Sequence, residues 1–231
     1  MTRVCISAAR VAAAALVSCV SGACTSGAFD SDQPAQHVYV IAAPQLQPSG
    51  ASAAVDLTVV RPVVRPGLDT DRIAVLYPDR RLEYFAGSRW GATTDIVVQA
   101  LLVESLRNAG GLRNVQNESA SFGSDFVLQS EVSHFQAQYG ESGSAPEVRV
   151  ELVVTVGRTT QRRPLASFTA AGRAQADSNT LSSVVAAFEE AYAQAAKTIV
   201  EKTAAAIQSA LAEATPAGAQ NVERPVASIS R

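Results

Sequence analysis

Apolar and polar positions alternate most clearly between residues 147 and 156, where every even position is apolar and most odd positions are polar. A period of two predicts a β-strand with one buried face. Similar but weaker patterns predict further strands, and a change of alternation near Ser133 and His134 predicts a bulge. Prolines at 62 and 66 predict a turn or a sheet edge there. The remaining strands are predicted over residues 37–43, 55–59, 72–77, 81–85, 112–115, 126–132, 135–139 and 165–171.

Apolar residues spaced three to four positions apart predict two helices. The first begins at Thr93–Asp95, where hydroxyl groups can accept hydrogen bonds from unpaired amides, and ends before Gly110-Gly111, a typical C-cap. The second runs from about residue 178 to residue 212 and carries one apolar stripe. It would span about 50 Å at the helical rise of 1.5 Å per residue, so its last turns are expected to fray or project.

The predicted order of elements is β-β-β-β-α-β-β-β-β-α. This order indicates an α/β fold in which a mixed, largely antiparallel sheet packs with two main helices as a sandwich of two or three layers. The sequence shows no internal repeat.

The N-terminal residues have the pattern of an export signal. Arg3 and Arg10 precede a short apolar run that is too short for a membrane span. The run ends in Leu16-Val17-Ser18-Cys19, which matches the bacterial lipobox. We therefore expect cleavage between Ser18 and Cys19, and a diacylglycerol thioether and an N-acyl chain on Cys19. Several acyl chains together anchor a protein stably.

Two alternatives to this anchor remain open from the sequence. The segment could be an ordinary signal peptide in which Cys19 has no role, or Cys24 could carry the lipid, although Ser21 replaces the expected aliphatic residue there. Val20 follows Cys19, and the absence of aspartate at that position favours the outer membrane under the enteric sorting rule.

The domain boundaries follow from these patterns. Residues 1–18 are predicted to be the signal peptide, 19–36 a lipidated flexible tether rich in small and polar residues, 37–213 a single α/β domain and 214–231 a disordered tail. The seventeen residues of the tether beyond Cys19 would reach roughly 20–25 Å on average.

Composition excludes several classes of function. The 19 basic and 21 acidic residues give a net charge of −2, which argues against nucleic-acid binding. No cysteine follows Cys24, so the folded part has no thiolate for a metal site or a nucleophile. His37 and His134 are the two histidines, and His134 is interpreted as a structural residue. We predict no catalytic residue, no cofactor and no metal ligand, and hence no enzyme.

One segment has a composition typical of an interface. Residues 82–90 hold three of the thirteen aromatic residues beside an arginine. Tyrosine, tryptophan and arginine are common interface anchors, so Tyr84, Arg89 and Trp90 are candidate contact residues. The alternative is that Phe85 and Trp90 cover the end of the sheet as core residues.

Residues 65–75 (RPGLDTDRIAV) and 82–90 (LEYFAGSRW) together resemble the ABC-type transport auxiliary lipoprotein family, the paraquat-inducible protein C group. The resemblance extends in order to Leu106–Gly110, to Pro146–Leu152 and to the helix from Ala187, and it covers residues 37–210.

The resemblance implies a non-enzymatic role. Its expected partners are a mammalian-cell-entry (MCE) domain protein and the associated ABC permease and ATPase, in a system that carries lipids or other hydrophobic compounds between the two membranes. Self-association is a further expectation. The alternative is a structural or envelope-assembly lipoprotein that binds another outer-membrane component.

Overall fold

The computed structural model describes residues 36–47, 52–120, 122–141, 145–161 and 164–214. These residues form nine strands and two helices in the order β1–β5, α1, β6–β9, α2. The bounds are β1 His37–Tyr39, β2 Ala53–Val59, β3 Val63–Val64, β4 Arg72–Leu76, β5 Leu82–Trp90, α1 Thr94–Asn108, β6 Leu112–Asn117, β7 Phe126–Gln138, β8 Glu147–Arg158, β9 Pro164–Gln175 and α2 Leu181–Ala214.

The long strand β7 organises the sheet. On one side it pairs with β8 in antiparallel orientation along nearly its whole length, and β8 pairs in the same way with β9. On its other side β7 pairs with three short strands, β2, β3 and β4, which lie one after another along its length and are each parallel to it. Beyond them lie β6, which is parallel to β2, and β5, which is antiparallel to β4 and carries β1 on its far edge. The result is the expected mixed, largely antiparallel sheet.

Both helices cover the same face of this sheet. The Ser105 hydroxyl of α1 lies 3.1 Å from the Tyr192 hydroxyl of α2, and both residues are buried. Burial raises the pKa of Tyr192, so this phenol stays protonated and can hydrogen-bond. The opposite face carries the polar odd-numbered positions of β8, which are only half-buried. The fold is therefore a two-layer α/β sandwich with one open sheet face.

Three aromatic rings join the two layers. The rings of Trp90, Phe135 and Phe188 come from β5, β7 and α2, and their centroids lie 5.0–5.9 Å apart. Each ring is almost fully buried. Tilted and edge-on contacts of this kind are favoured by the quadrupoles of the rings and add to the free energy gained by burial.

The helix α2 lies directly against β9. A Cβ atom on Gly172 would lie 1.9 Å from the Ala191 carbonyl oxygen, so only glycine permits this close approach. One residue further along, the Arg173 amide donates a hydrogen bond to Gln194 Oε1 on α2 at 3.1 Å. Gln194 of the helix thus accepts a hydrogen bond from one backbone amide at the outer edge of β9.

The described structure confirms the fold class and the bulge, because the β7–β8 register shifts between Val132 and His134. It corrects several boundaries. The predicted strands 126–132 and 135–139 are one strand, the predicted strand 37–43 shortens to His37–Tyr39, and β5 extends to Trp90. Helix α2 stays packed as far as Ala210, because Ile207 and Ala210 are buried and the Ala210 carbonyl accepts a hydrogen bond from Arg158. The residues 212–214 at its end are helical and exposed.

The start of α1 also differs from the expected cap. Thr93 is the N-cap residue, but its hydroxyl donates to the Asp95 carboxylate and makes no capping bond to a backbone amide. The Thr94 hydroxyl donates instead to the Thr70 carbonyl at 3.0 Å. The helix start is therefore held by the preceding loop. The C-cap residue is Ala109, and Gly110 and Gly111 follow it with positive φ.

Candidate interaction surface

The candidate contact residues lie on β5, which follows a tight turn after β4. In this turn the Arg80 amide bonds the Tyr77 carbonyl at 2.9 Å, and Arg80 has a φ of 68°. β5 pairs with β4 at both of its ends. Between these two paired stretches the register shifts, because Phe85–Ser88 bulge out of the ladder. Gly87 supplies the positive φ of this bulge. The bulge separates Tyr84 from Arg89.

Tyr84 is half-buried and held in place by two contacts. Its hydroxyl donates to the Gly67 carbonyl at 2.9 Å, and the Arg72 guanidinium carbon lies 4.2 Å from its ring centroid. The second contact has the geometry of a cation–π interaction. A Cβ atom on Gly67 would lie 2.8 Å from a Leu82 methyl carbon, so the loop that Gly67 belongs to packs tightly on β5.

Arg89 is half-exposed and contacts the same loop. Its Nη1 atom lies 3.3 Å from Asp71 Oδ2, and both side chains are about two-fifths exposed, at 42% and 38%. An ion pair that is this exposed contributes little to stability. Its Nε atom is buried without a hydrogen-bond partner among the described residues. The loop 65–71 therefore brings Tyr84 and Arg89 into one surface despite the bulge.

Trp90 does not belong to this surface. Its side chain is 1% exposed and lies in the aromatic cluster of the core, and its amide donates to the Asp71 carbonyl at 2.7 Å. The prediction that Trp90 is an interface residue is wrong, and the alternative that it is a core residue is confirmed. The reason is that β5 ends at the helical layer, where its last side chain points inward against Phe188.

Sequence reasoning missed Arg72 and Asp71 as members of the surface. Arg72 stacks on Tyr84 and Asp71 pairs with Arg89, so the exposed surface consists of Asp71, Arg72, Tyr84 and Arg89, which we call the β5 surface. The sequence did hold a signal for these two residues, because both lie in the segment 65–75, which carries the family resemblance together with residues 82–90. Aromatic and arginine side chains held at a half-exposed site suit a protein contact.

His134 lies on the open face of the sheet at the bulge of β7. Its Nδ1 atom lies 2.9 Å from Gln136 Nε2. Burial, and then the positive charge of Arg149, lower the pKa of His134, although Glu151 opposes this effect. Such a histidine is neutral at pH 7. Its surroundings contain no cysteine, and the part of the chain that the structure describes holds no cluster of three metal-ligating side chains.

Several predicted residues lie outside the described structure. They are Ser18, Cys19 and Cys24, together with the signal peptide, most of the tether and the tail that begins at residue 215. Within the described residues, no helix is long and apolar enough to cross a membrane.

Solved structures of other proteins share this fold. A crystal structure of a Xanthomonas campestris protein matches with a TM-score of 0.68 and 22% identity, over 76% of this chain and 99% of that chain. A crystal structure of an uncharacterized protein matches with a TM-score of 0.58 and 16% identity, over 73% and 99%. A PelC dodecamer from Paraburkholderia phytofirmans matches at 0.43 and 19%, over 68% and 94%, which is too low to support conclusions about assembly here. No curated protein matches the chain.

The first two of these structures share the α/β sandwich fold of this chain. The model of the ABC-type transport auxiliary lipoprotein component family matches residues 39–200, and the chain belongs to this family. It is thus a lipoprotein of the bacterial envelope that serves as an auxiliary component of an ABC-type transport system.

Proposed function

We propose that the chain is a lipid-anchored, non-enzymatic accessory protein of an ABC/MCE-type system that moves lipids or other hydrophobic compounds between the inner and outer membranes. The family match over residues 39–200 carries this proposal, because that family comprises auxiliary components of ABC-type transporters. In this proposal the domain faces the periplasm from the outer membrane.

The anchor is the first part of the proposal. Acyl chains on Cys19 would hold the chain at the membrane, and the residues between Cys19 and His37 would let the folded domain stand off by roughly 20–25 Å. The first described strand, β1, lies at an edge of the sheet.

The contact is the second part of the proposal. The β5 surface would bind the MCE-domain protein or a second copy of this chain. Tyr84 and Arg89 are fixed by Gly67 and Asp71, so little side-chain entropy is lost when a partner covers them. The Arg89 side chain is 42% exposed, so its guanidinium can donate hydrogen bonds to a carbonyl or carboxylate of the partner.

Isolation of the lipidated chain from membranes tests the proposal. A C-terminally tagged chain is extracted in mild detergent at physiological salt, and co-purifying proteins are identified by mass spectrometry against an untagged strain. We expect an MCE-domain protein with its permease and ATPase. Recovery of a β-barrel assembly factor or a structural envelope protein instead, without MCE components, would favour the alternative role in envelope assembly.

A further inference from the structure

Two arginines lie directly opposite each other on the β5 surface. Arg72 of β4 and Arg89 of β5 are cross-strand partners in an antiparallel pair, so their side chains extend from the same face of the sheet. Like charges in directly opposite positions repel each other and destabilise a sheet. Asp71 pairs with Arg89 at 3.3 Å, whereas Arg72 forms no ion pair with any described residue. One of the two positive charges therefore has no counter-ion within the described fold.

Arg72 is held in position although it lacks a carboxylate partner. Its guanidinium carbon lies 4.2 Å from the ring centroid of Tyr84, and the hydroxyl of Tyr84 is itself fixed to the Gly67 carbonyl at 2.9 Å. A cation–π contact engages the charge of an arginine but not its N–H donors. The side chain of Arg72 is exposed, so these donors are accessible to a partner.

The charge around this pair favours an acidic partner. Residues 61–89 contain six arginines, four acidic residues and no lysine, which is an excess of two positive charges in a chain whose net charge is −2. Asp69, the other acidic residue of the loop 65–71, is exposed and also forms no ion pair with a described residue. The planar guanidinium of arginine can donate two parallel hydrogen bonds to one carboxylate, which lysine cannot do.

The same charges argue against an anionic membrane as the occupant. Segments that bind anionic lipid surfaces carry clusters of four to eight lysines or arginines. Here Asp69 and Asp71 alternate with the arginines, and a flat anionic surface would be repelled by them. A protein segment can instead direct a single carboxylate to the arginine pair.

We propose that Arg72 and Arg89 together bind a glutamate or aspartate side chain in an acidic segment of the transport partner. The identity of the partner rests on the proposed function, whereas the acidic chemistry rests on the arginine pair. Asp71 competes with the incoming carboxylate for Arg89. The side chains of Arg89 and Asp71 are 42% and 38% exposed, and an ion pair that is this exposed is exchanged at little cost in stability.

The competition predicts opposite effects for two neighbouring substitutions. Arg72→Gln removes the charge that has no counter-ion and is expected to weaken binding. Asp71→Asn keeps the shape of the side chain, releases Arg89 and is expected to strengthen binding. If Asp71 served only to hold Arg89 in place, Asp71→Asn would weaken binding instead. Arg72→Lys keeps the charge but not the paired donors, so it is expected to fall between wild type and Arg72→Gln.

A labelled acidic peptide tests the chemistry without reference to the transport partner. Binding of fluorescein-labelled hexaglutamate to the full-length lipidated chain in a neutral detergent is measured by fluorescence anisotropy at low ionic strength. We expect Arg72→Gln to weaken binding and Asp71→Asn to strengthen it, each by up to about fivefold, the upper end for an exposed ion pair. Lys197→Gln removes one exposed positive charge from α2 and is the matched control, with binding like wild type. All variants are expected to keep the wild-type melting temperature.

Recovery of the partner tests the same variants in the membrane. With tagged, lipidated chains at equal abundance, Asp71→Asn is expected to recover more MCE-domain protein than wild type, and Arg72→Gln less. If wild type recovers no MCE-domain protein, the proposed function fails, and the hexaglutamate measurements still decide whether the surface binds carboxylates.

The proposal is overturned by any of three results in the peptide measurement. Asp71→Asn that binds no better than wild type would make Asp71 a structural partner of Arg89. Equal losses in Arg72→Gln and Lys197→Gln would mean that only net charge attracts the peptide. Displacement of hexaglutamate by glycerol 3-phosphate at lower concentration than by free glutamate would assign the surface to a phosphate headgroup.

Discussion

At the scale of single residues, Trp90 shows how burial separates a core residue from an interface residue. Tyr84 and Arg89 lie on the same strand and are also common interface residue types, but Trp90 is buried against Phe135 and Phe188. We expect Trp90→Ala to lower the free energy of unfolding by about 3–5 kcal/mol, because it removes a large buried ring and leaves a cavity. Chemical denaturation of the purified chain measures this. A loss below 1 kcal/mol would show that the cluster does not hold the layers together.

Cys19 carries the second prediction at this scale. Cys19→Ser removes the sulfur that forms the thioether, so the variant should not incorporate palmitate and should accumulate as an unprocessed precursor. Metabolic labelling with palmitate and immunoblotting measure both effects. Cys24→Ser is the matched control and should label like wild type. Normal labelling of Cys19→Ser would transfer the anchor to Cys24 or end the lipoprotein interpretation of this signal.

His134 gives a pH dependence whose sign follows from its lowered pKa. The folded state binds a proton less readily than the unfolded state, so the contribution of His134 to stability is present above the unfolded pKa of about 6.5 and is lost as the pH falls toward the folded value. We expect the melting temperature of wild type to fall between pH 7 and pH 5, and the fall to be smaller in His134→Gln.

His37→Gln, which removes the other histidine, is the control for that comparison. Equal slopes for wild type and His134→Gln would mean that His134 titrates alike in the folded and unfolded chains. A folded and abundant His134→Ala variant that has lost its function would show that the histidine has a functional role beyond stability.

At the scale of elements, the contact between α2 and β9 depends on one glycine. Gly172→Ala places a Cβ atom where it would meet the Ala191 carbonyl oxygen, so the helix must move away from the strand. We expect a loss of stability of about 1–3 kcal/mol, typical of overpacking in a well-packed core. Thermal unfolding measures this, and Ala171→Ser, which adds one atom at the adjacent exposed position, is the control. A neutral Gly172→Ala variant would mean that α2 is not seated on β9 as described.

Much of the element structure could be predicted from sequence because its causes are local. Alternation in β8 and the apolar stripe of α2 reflect one buried face each, and the bulge at His134 shifts the pattern where the register shifts. Other features depend on contacts distant in sequence. Strand β3 has two residues and exists because Val63 and Val64 pair with β7. The Thr93 hydroxyl donates to Asp95 and makes no cap, and the helix start is held instead by the Thr94 hydroxyl, which donates to the Thr70 carbonyl across the loop.

The members of the candidate surface also differ in whether the sequence alone could predict them. Composition identified Tyr84 and Arg89, since interface residue types cluster in the sequence. It could not place Trp90, because the direction of a side chain at the end of a strand depends on the bulge at Phe85–Ser88. Nor could it add Arg72, which reaches the Tyr84 ring only because β4 and β5 are paired.

At the scale of the whole molecule, the two faces and the two sides of the sheet have different surroundings. One face of the sheet is covered by both helices, and the β5 surface and the β9 edge lie on opposite sides of the central strand β7. The proposed contact for a transport partner therefore lies on the β4–β5 side of the sheet, away from β9. The family assignment accounts for the existence of a partner but not for its position on the chain.

The β5 surface is proposed to hold the MCE-domain protein or a second copy of this chain, and quantitative recovery of the MCE-domain protein tests the claim that this surface holds the transport partner most directly. The tagged, lipidated Tyr84→Ala/Arg89→Ala variant is compared with wild type and with Lys197→Ala, which removes an exposed positive charge on α2. Removing a central interface anchor typically costs 2 kcal/mol or more, about 30-fold in affinity. We expect the double variant to fold, to reach the membrane and to recover far less MCE-domain protein, whereas Lys197→Ala recovers the wild-type amount. Full recovery by a folded double variant would contradict the claim.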